Sequence, residues 1–152
     1  MINLTMDFKW APVLENESDQ YVFPNTITAY MRQKYRIPTI YRWIVESNRR
    51  IESIYIGETE ELCPRRVYGY LNPGSSQMTN IRINNLFDEL IKKGKIIRLE
   101  YLVFSDFFFD GKKITDQDLV KKNIRVLLEN IMIIHHENDG IVILNQAINS
   151  KM

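Results

Sequence analysis

The stretch from Thr39 to Leu71 constrains the chain most, because it holds two strand patterns, a tight connection between them and a helix start with paired arginines. Ile40, Trp43, Ile44 and Val45 form an aromatic and β-branched run that reads as a buried strand, although its mixed periodicity does not decide which face is covered. Ser47, Asn48, Arg49 and Arg50 are polar and suit a turn, and Ile51, Ile54, Tyr55 and Ile56 then resume the strand pattern up to Gly57. A β-hairpin is expected. Thr59 follows as an N-cap, with Glu60, Glu61 and Leu62 behind it. Proline is tolerated in the first turn of a helix and not deeper, so Pro64 predicts a helix that begins late, near Cys63 or Pro64.

The 152 residues suffice for one domain with a real core rather than for two. Hydrophobic residues at 45% and charged residues at 26% are ordinary for a globular chain that folds without a partner. A net charge of +1 does not mark a nucleic-acid binder, which usually shows a basic excess or a basic face. The basic residues are nevertheless grouped: Arg32, Lys34 and Arg36; Arg49, Arg50, Arg65 and Arg66; Lys92, Lys93, Lys95 and Arg98. Each group alone reads as a solvated helix end or turn. The single cysteine excludes an internal disulfide and an intrachain thiolate cluster, and fits a reducing cytoplasm. The start MINLTMDFKWAPVL lacks the pattern of a signal peptide, and no apolar run approaches a membrane span. A cytoplasmic protein with no membrane partner is expected.

Along the chain, Leu4, Met6, Phe8 and Trp10 alternate as an edge strand would, and Asn25 can cap a helix through Arg36. Residues 1–38 thus read as an arm that covers one side of the sheet, contacts DNA through its basic residues or forms a dimer interface. After the turn signal Asn72-Pro73-Gly74, Thr79 can cap a helix with an apolar stripe from Ile81 to Ile91, stopped at Gly94. Lys95 to Ser105 has the content of a well-covered strand, while Phe107, Phe108 and Phe109 either line the core, the favoured reading, or form an exposed patch. Thr115 and Asp118 suggest a capping box for a helix running to about His136, and Ile141 to Leu144 read as a last strand ending in Asn145-Gln146. His135 and His136 are adjacent on that helix, hence about 100° apart, which disfavours a shared metal ion.

Thr39-Ile40-Tyr41, then Tyr55-Ile56-Gly57, Leu62 and Arg65-Arg66, resemble the motifs of the GIY-YIG nuclease superfamily, and PGSSQMTNIRIN resembles a loop of its small stand-alone members. Thr39 replaces the first glycine of the name motif, which changes backbone freedom at the strand start but removes no catalytic side chain. The resemblance spans Thr39 to Gln146. It implies an α/β fold with a mainly antiparallel three-stranded central sheet flanked by helices over residues 39–152, extended by the N-terminal arm. It also implies a Mg2+- or Mn2+-dependent endonuclease that hydrolyses DNA phosphodiester bonds in restriction, repair or recombination. With one site per chain, cutting both strands would need two chains or two encounters, so a homodimer is a possible partner.

The resemblance assigns roles residue by residue. Tyr41 would be the general base or its relay, Tyr55 a second phenol orienting water or phosphate, and Glu129 the metal ligand, sufficient alone because magnesium keeps several waters. The commoner spacing selects Arg65 as the transition-state clamp. A tyrosine one helical turn after the arginine instead selects Arg66 with Tyr70, since four residues past Arg65 lies Gly69; a one-residue insertion near Cys63-Pro64 would reconcile the counts. A tyrosine base needs its pKa lowered, and a nearby metal or arginine acts in that direction. Substrate contacts fall to Arg49, Ser76, Gln77, Asn80 and Asn145. A noncatalytic nucleic-acid-binding or protein-interaction module of the same fold is the alternative, favoured by the neutral charge and by Thr39.

Overall fold

The structure is a computed structural model and describes residues 1–145. Six strands, β1 (Leu4–Pro12), β2 (Thr39–Ser47), β3 (Arg50–Thr59), β4 (Ile96–Phe109), β5 (Lys112–Ile114) and β6 (Val142–Ile143), form one sheet in the order β1-β4-β2-β3-β6, with β5 added on β4. Every pairing is antiparallel except that of β3 with β6. Among the described residues four helices flank it: α1 (Ala29–Lys34), α2 (Val67–Leu71), α3 (Met78–Lys92) and α4 (Lys122–Glu137). The fold is thus mainly antiparallel α/β as expected, but three strands is a correction to six. Beyond the central β2, β3 and β4, the strands read from Leu4 to Trp10 and from Ile141 to Leu144 join the same sheet as β1 and β6, and β5, only three residues long, is the one with no sequence signal.

The β2–β3 hairpin forms on a two-residue turn in which Asn48 and Arg49 both have positive φ (52° and 64°), as a type I′ turn requires. Residues 39–45 are all buried because both faces of the sheet are covered, which removes the alternation that a half-exposed strand would show. On one face Tyr41, Trp43 and Val45 pack with Tyr55 and Leu99 beneath Met31 of α1, Tyr70 of α2 and Phe87 of α3. On the other, Ile40, Ile54 and Ile56 pack against Leu128 and Met132 of α4. Residues 1–38 supply an edge strand, and Val13, Tyr21, Phe23 and Tyr35 belong to the first core.

Local signals were read correctly in kind and shifted in place. Thr28, not Asn25, caps α1, its hydroxyl accepting the Met31 N–H. Gln77 precedes α3, so Thr79 lies inside its first turn. Thr115 and Asp118 do form a capping box, but on a short 3-10 turn (Asp116–Val120), and α4 starts afresh at Lys122. Phe107 is buried and Phe108 exposed, as alternation along β4 demands. The predicted Gln146 lies outside the described residues. Among the described residues no helix is long and apolar enough to cross a membrane.

A polar network ties the edge strand to α4. Trp10 Nε1 donates to His136 Nε2 (3.1 Å), which leaves the His136 proton on Nδ1, facing Asp139 Oδ2 at 2.9 Å. Arg42 stacks over Trp10, pairs with Glu100 and stands 3.4 Å from His136. Burial pushes the His136 pKa down, Asp139 acts against it, and Arg42 adds to the lowering. The unfolded chain therefore takes up this proton first, so the stability it confers is present above about pH 6.5 and is lost as pH falls below that. Urea midpoints are expected to drop between pH 7 and 5.5, and His136→Gln, which keeps an acceptor for Trp10, should flatten that drop. Equal slopes for the two proteins would refute the assignment.

Candidate active site

Tyr41 and Gly57 are cross-strand partners on β2 and β3. A Cβ built on Gly57 would overlap the hydroxyl end of the Tyr41 ring, so that ring lies across the bare backbone of Gly57. Its Oη meets Tyr70 Oη at 2.5 Å, and both phenols are buried. Tyr70 comes from α2, which follows one wide helical turn over Leu62–Arg66. Cys63 in that turn is extended (φ −126°, ψ 133°), so helical backbone begins only after it. This start sets Arg66 one turn before Tyr70. Arg66 is half-buried and interacts with Tyr41, Tyr70 and Tyr55, whereas Arg65 is exposed at the rim.

Glu129 approaches from the opposite face of the sheet, on α4. The two faces meet because the edge of β3 is only partly covered: β6 pairs with Ser53 and Ile54, and the Asn145 side chain takes both the N–H (2.8 Å) and the C=O (2.6 Å) of Ile56. Beyond Ile56 lie Gly57 and Glu58, and the Glu58 main chain hydrogen-bonds to the Glu129 carboxylate. Tyr41, Tyr55, Arg66, Tyr70 and Glu129 are thus electrostatic neighbours around the end of one strand.

Burial dominates their titration. It raises the pKa of Tyr41, Tyr55 and Tyr70, and Arg66 only partly offsets this. Arg66 acts in the expected lowering direction, but burial outweighs it, so as folded these phenols are protonated. Burial and Glu58 raise the Glu129 pKa, against the Glu58 main-chain hydrogen bond and Arg66. Burial pushes the Cys63 thiol up to about 12, in keeping with a structural role.

An open polar pocket of about 350 Å³ adjoins the cluster, lined by Glu58, Thr59, Glu60, Arg65, Arg66, Gly69, Gln77, Asn80, Lys122 and Arg125. Gln77 and Asn80, two of the expected substrate contacts, line this pocket. Ser76 lies in the exposed loop before α3 and does not line the pocket. Arg49 sits at the hairpin tip, roughly 25 Å from Tyr41 at about 3.3 Å per strand residue, so it is no part of this site. Asn145 is buried and spends its amide on Ile56, so its role here is to fasten the edge of β3. The sequence reading missed Glu58, Lys122 and Arg125. Arg125 pairs with Glu58 at 2.7 Å and donates to the Leu119 and Val120 carbonyls, with its side chain 6% exposed. It lies four residues before Glu129, one helical turn, which was a legible signal.

Magnesium or manganese takes one or two carboxylates and keeps several waters, and the donor chemistry of Glu129, an electrostatic neighbour of the pocket-lining Glu58, fits such an ion. His135, His136 and Asp139 also bring donor atoms within 4.8 Å of one another. Both His136 nitrogens already have partners in Trp10 and Asp139, so an ion there would have to displace them. No family model, curated protein or solved structure matches this chain.

Proposed function

We propose that the protein is a divalent-metal-dependent endonuclease that hydrolyses DNA phosphodiester bonds. The observation that supports this reading best is the convergence of Tyr41, Tyr55, Arg66, Tyr70 and Glu129, drawn from β2, β3, α2, its preceding turn and α4, beside a pocket whose cations outnumber its carboxylates. When bound at Glu129, a divalent ion supplies Lewis-acid stabilisation of the phosphate and a water of lowered pKa. Arg66 faces the charge that grows on the phosphate, in a half-buried setting where that attraction is strengthened. Tyr41 and Tyr70 move a proton without forming a free phenolate: one hydroxyl accepts a proton as the other releases its own, along their 2.5 Å hydrogen bond. Tyr55 orients water or phosphate at the margin of the cluster.

The burial of Tyr41 and Tyr70 against each other favours a second reading, a noncatalytic nucleic-acid-binding module. Supercoiled plasmid and branched DNA incubated with magnesium, manganese or chelator separate the two. Metal-dependent nicking is expected, and binding without nicking on every substrate would leave the module.

A further inference from the structure

The polar pocket beside the tyrosine cluster has four walls, of which the end of β3 with Glu58, Thr59 and Glu60 carries the carboxylates. Of the other three, Arg65, Arg66 and Gly69 form the first, Gln77 and Asn80 the second, and Lys122 with Arg125 the third. Its four cations face two carboxylates, and one of those, Glu58, is neutralised by Arg125. Arg65 and Lys122 form no ion pair among the described residues. A Cβ on Gly69 would come within 3.0 Å of Asn80 Nδ2, so the absent side chain keeps the gap between the first two walls open. The volume, about 350 Å³, is at the lower end of the roughly 300–1,000 Å³ of ligand sites, and the excess of positive charge selects an anion. Arg66 belongs both to this pocket and to the tyrosine cluster, which places the two side by side.

We propose that the pocket is a second phosphate subsite, which holds the phosphodiester next to the scissile one on the same nucleic-acid strand, with Lys122 and Arg65 as its cations and the Gln77 and Asn80 amides beside them. This rests on the nuclease reading for the identity of the first phosphate. It makes the substrate a strand with consecutive phosphates and assigns specificity for polymer over mononucleotide diester to residues outside the reacting group.

The test is binding with chelator present, so that no strand is cut. Fluorescent oligonucleotides, single-stranded and duplex, are titrated across salt concentrations against wild type, Lys122→Ala and the remote surface control Lys93→Ala. Lys122→Ala is expected to weaken binding roughly tenfold, the scale of one hydrogen bond to a charged group. It should also reduce the salt slope by about 0.7 for a single strand or about 0.9 for a duplex. A trinucleotide, with two phosphates, should outbind a dinucleotide in wild type but not in Lys122→Ala. Binding by Lys122→Ala that matches wild type, or a loss equal to that of Lys93→Ala, overturns the subsite. Cleavage by wild type together with Lys122-independent binding sinks only the subsite, whereas Lys122-dependent binding without cleavage sinks only the nuclease.

Discussion

Glu129→Gln is expected to abolish metal-dependent strand scission, by about a thousandfold or more, while the protein stays folded and still binds DNA. The substitution keeps the shape of the side chain and a carbonyl oxygen to receive the hydrogen bond from the Glu58 main chain, but it removes the charge that would hold the ion. Losing the charge stabilisation an ion provides corresponds to roughly 4 kcal/mol of barrier, or about three powers of ten. The fold should not suffer. Because the folded pKa of Glu129 is raised, its stabilising contribution is full below the unfolded value of 4.5 and is lost as pH rises through the folded value. At neutral pH a neutral side chain there costs nothing and can raise the unfolding midpoint slightly. Nicking measured across a manganese titration checks this, and a variant that nicks at the wild-type rate in saturating metal would remove Glu129 from the chemistry.

Gly57→Ala should be the most damaging single methyl in the chain, lowering stability by about 4 kcal/mol. The new Cβ occupies the space of the Tyr41 hydroxyl end, and both the Gly57 backbone and the ring lie inside the packed core. Overpacking of that kind costs about 1–3 kcal/mol. Moving the ring also breaks the Tyr41–Tyr70 hydrogen bond and strands a buried hydroxyl, for about 1–3 kcal/mol more. The sum is a large share of the roughly 5–15 kcal/mol that holds a domain folded. Urea unfolding of Gly57→Ala, Tyr41→Leu and the double variant measures it: with the ring gone, the alanine should add little. A single variant within 1 kcal/mol of wild type would mean that the ring does not lie where the geometry puts it.

The hairpin, the late helix and the strand at Lys95 could be read from the sequence because each rests on neighbours a few residues apart. The choice between Arg65 and Arg66 could not be settled by counting, because it depends on where helical backbone begins. The extended backbone at Cys63 sets that start, and Arg66 then takes the place among the phenols. Asn145 was misjudged because an amide side chain that pairs with a strand edge has no local pattern. Glu58 and Lys122 were missed for a related reason: a carboxylate after a strand glycine and a lysine at a helix start are ordinary until the two elements meet at one pocket.

The fastening of Ile56 by Asn145, 89 positions later in the chain, has a consequence for the order of events during synthesis. The hairpin, Tyr70 and Arg66 leave the ribosome early, and at about 5–20 residues per second they wait for several seconds before α4 and β6 emerge. Until then β3 lacks both its last strand partner and the helix that brings Glu129, so a growing or prematurely ended chain holds phenols and a guanidinium but not the carboxylate proposed to hold the ion. On the proposed nuclease reading, topology alone would keep the incomplete chain from cutting, without an inhibitor.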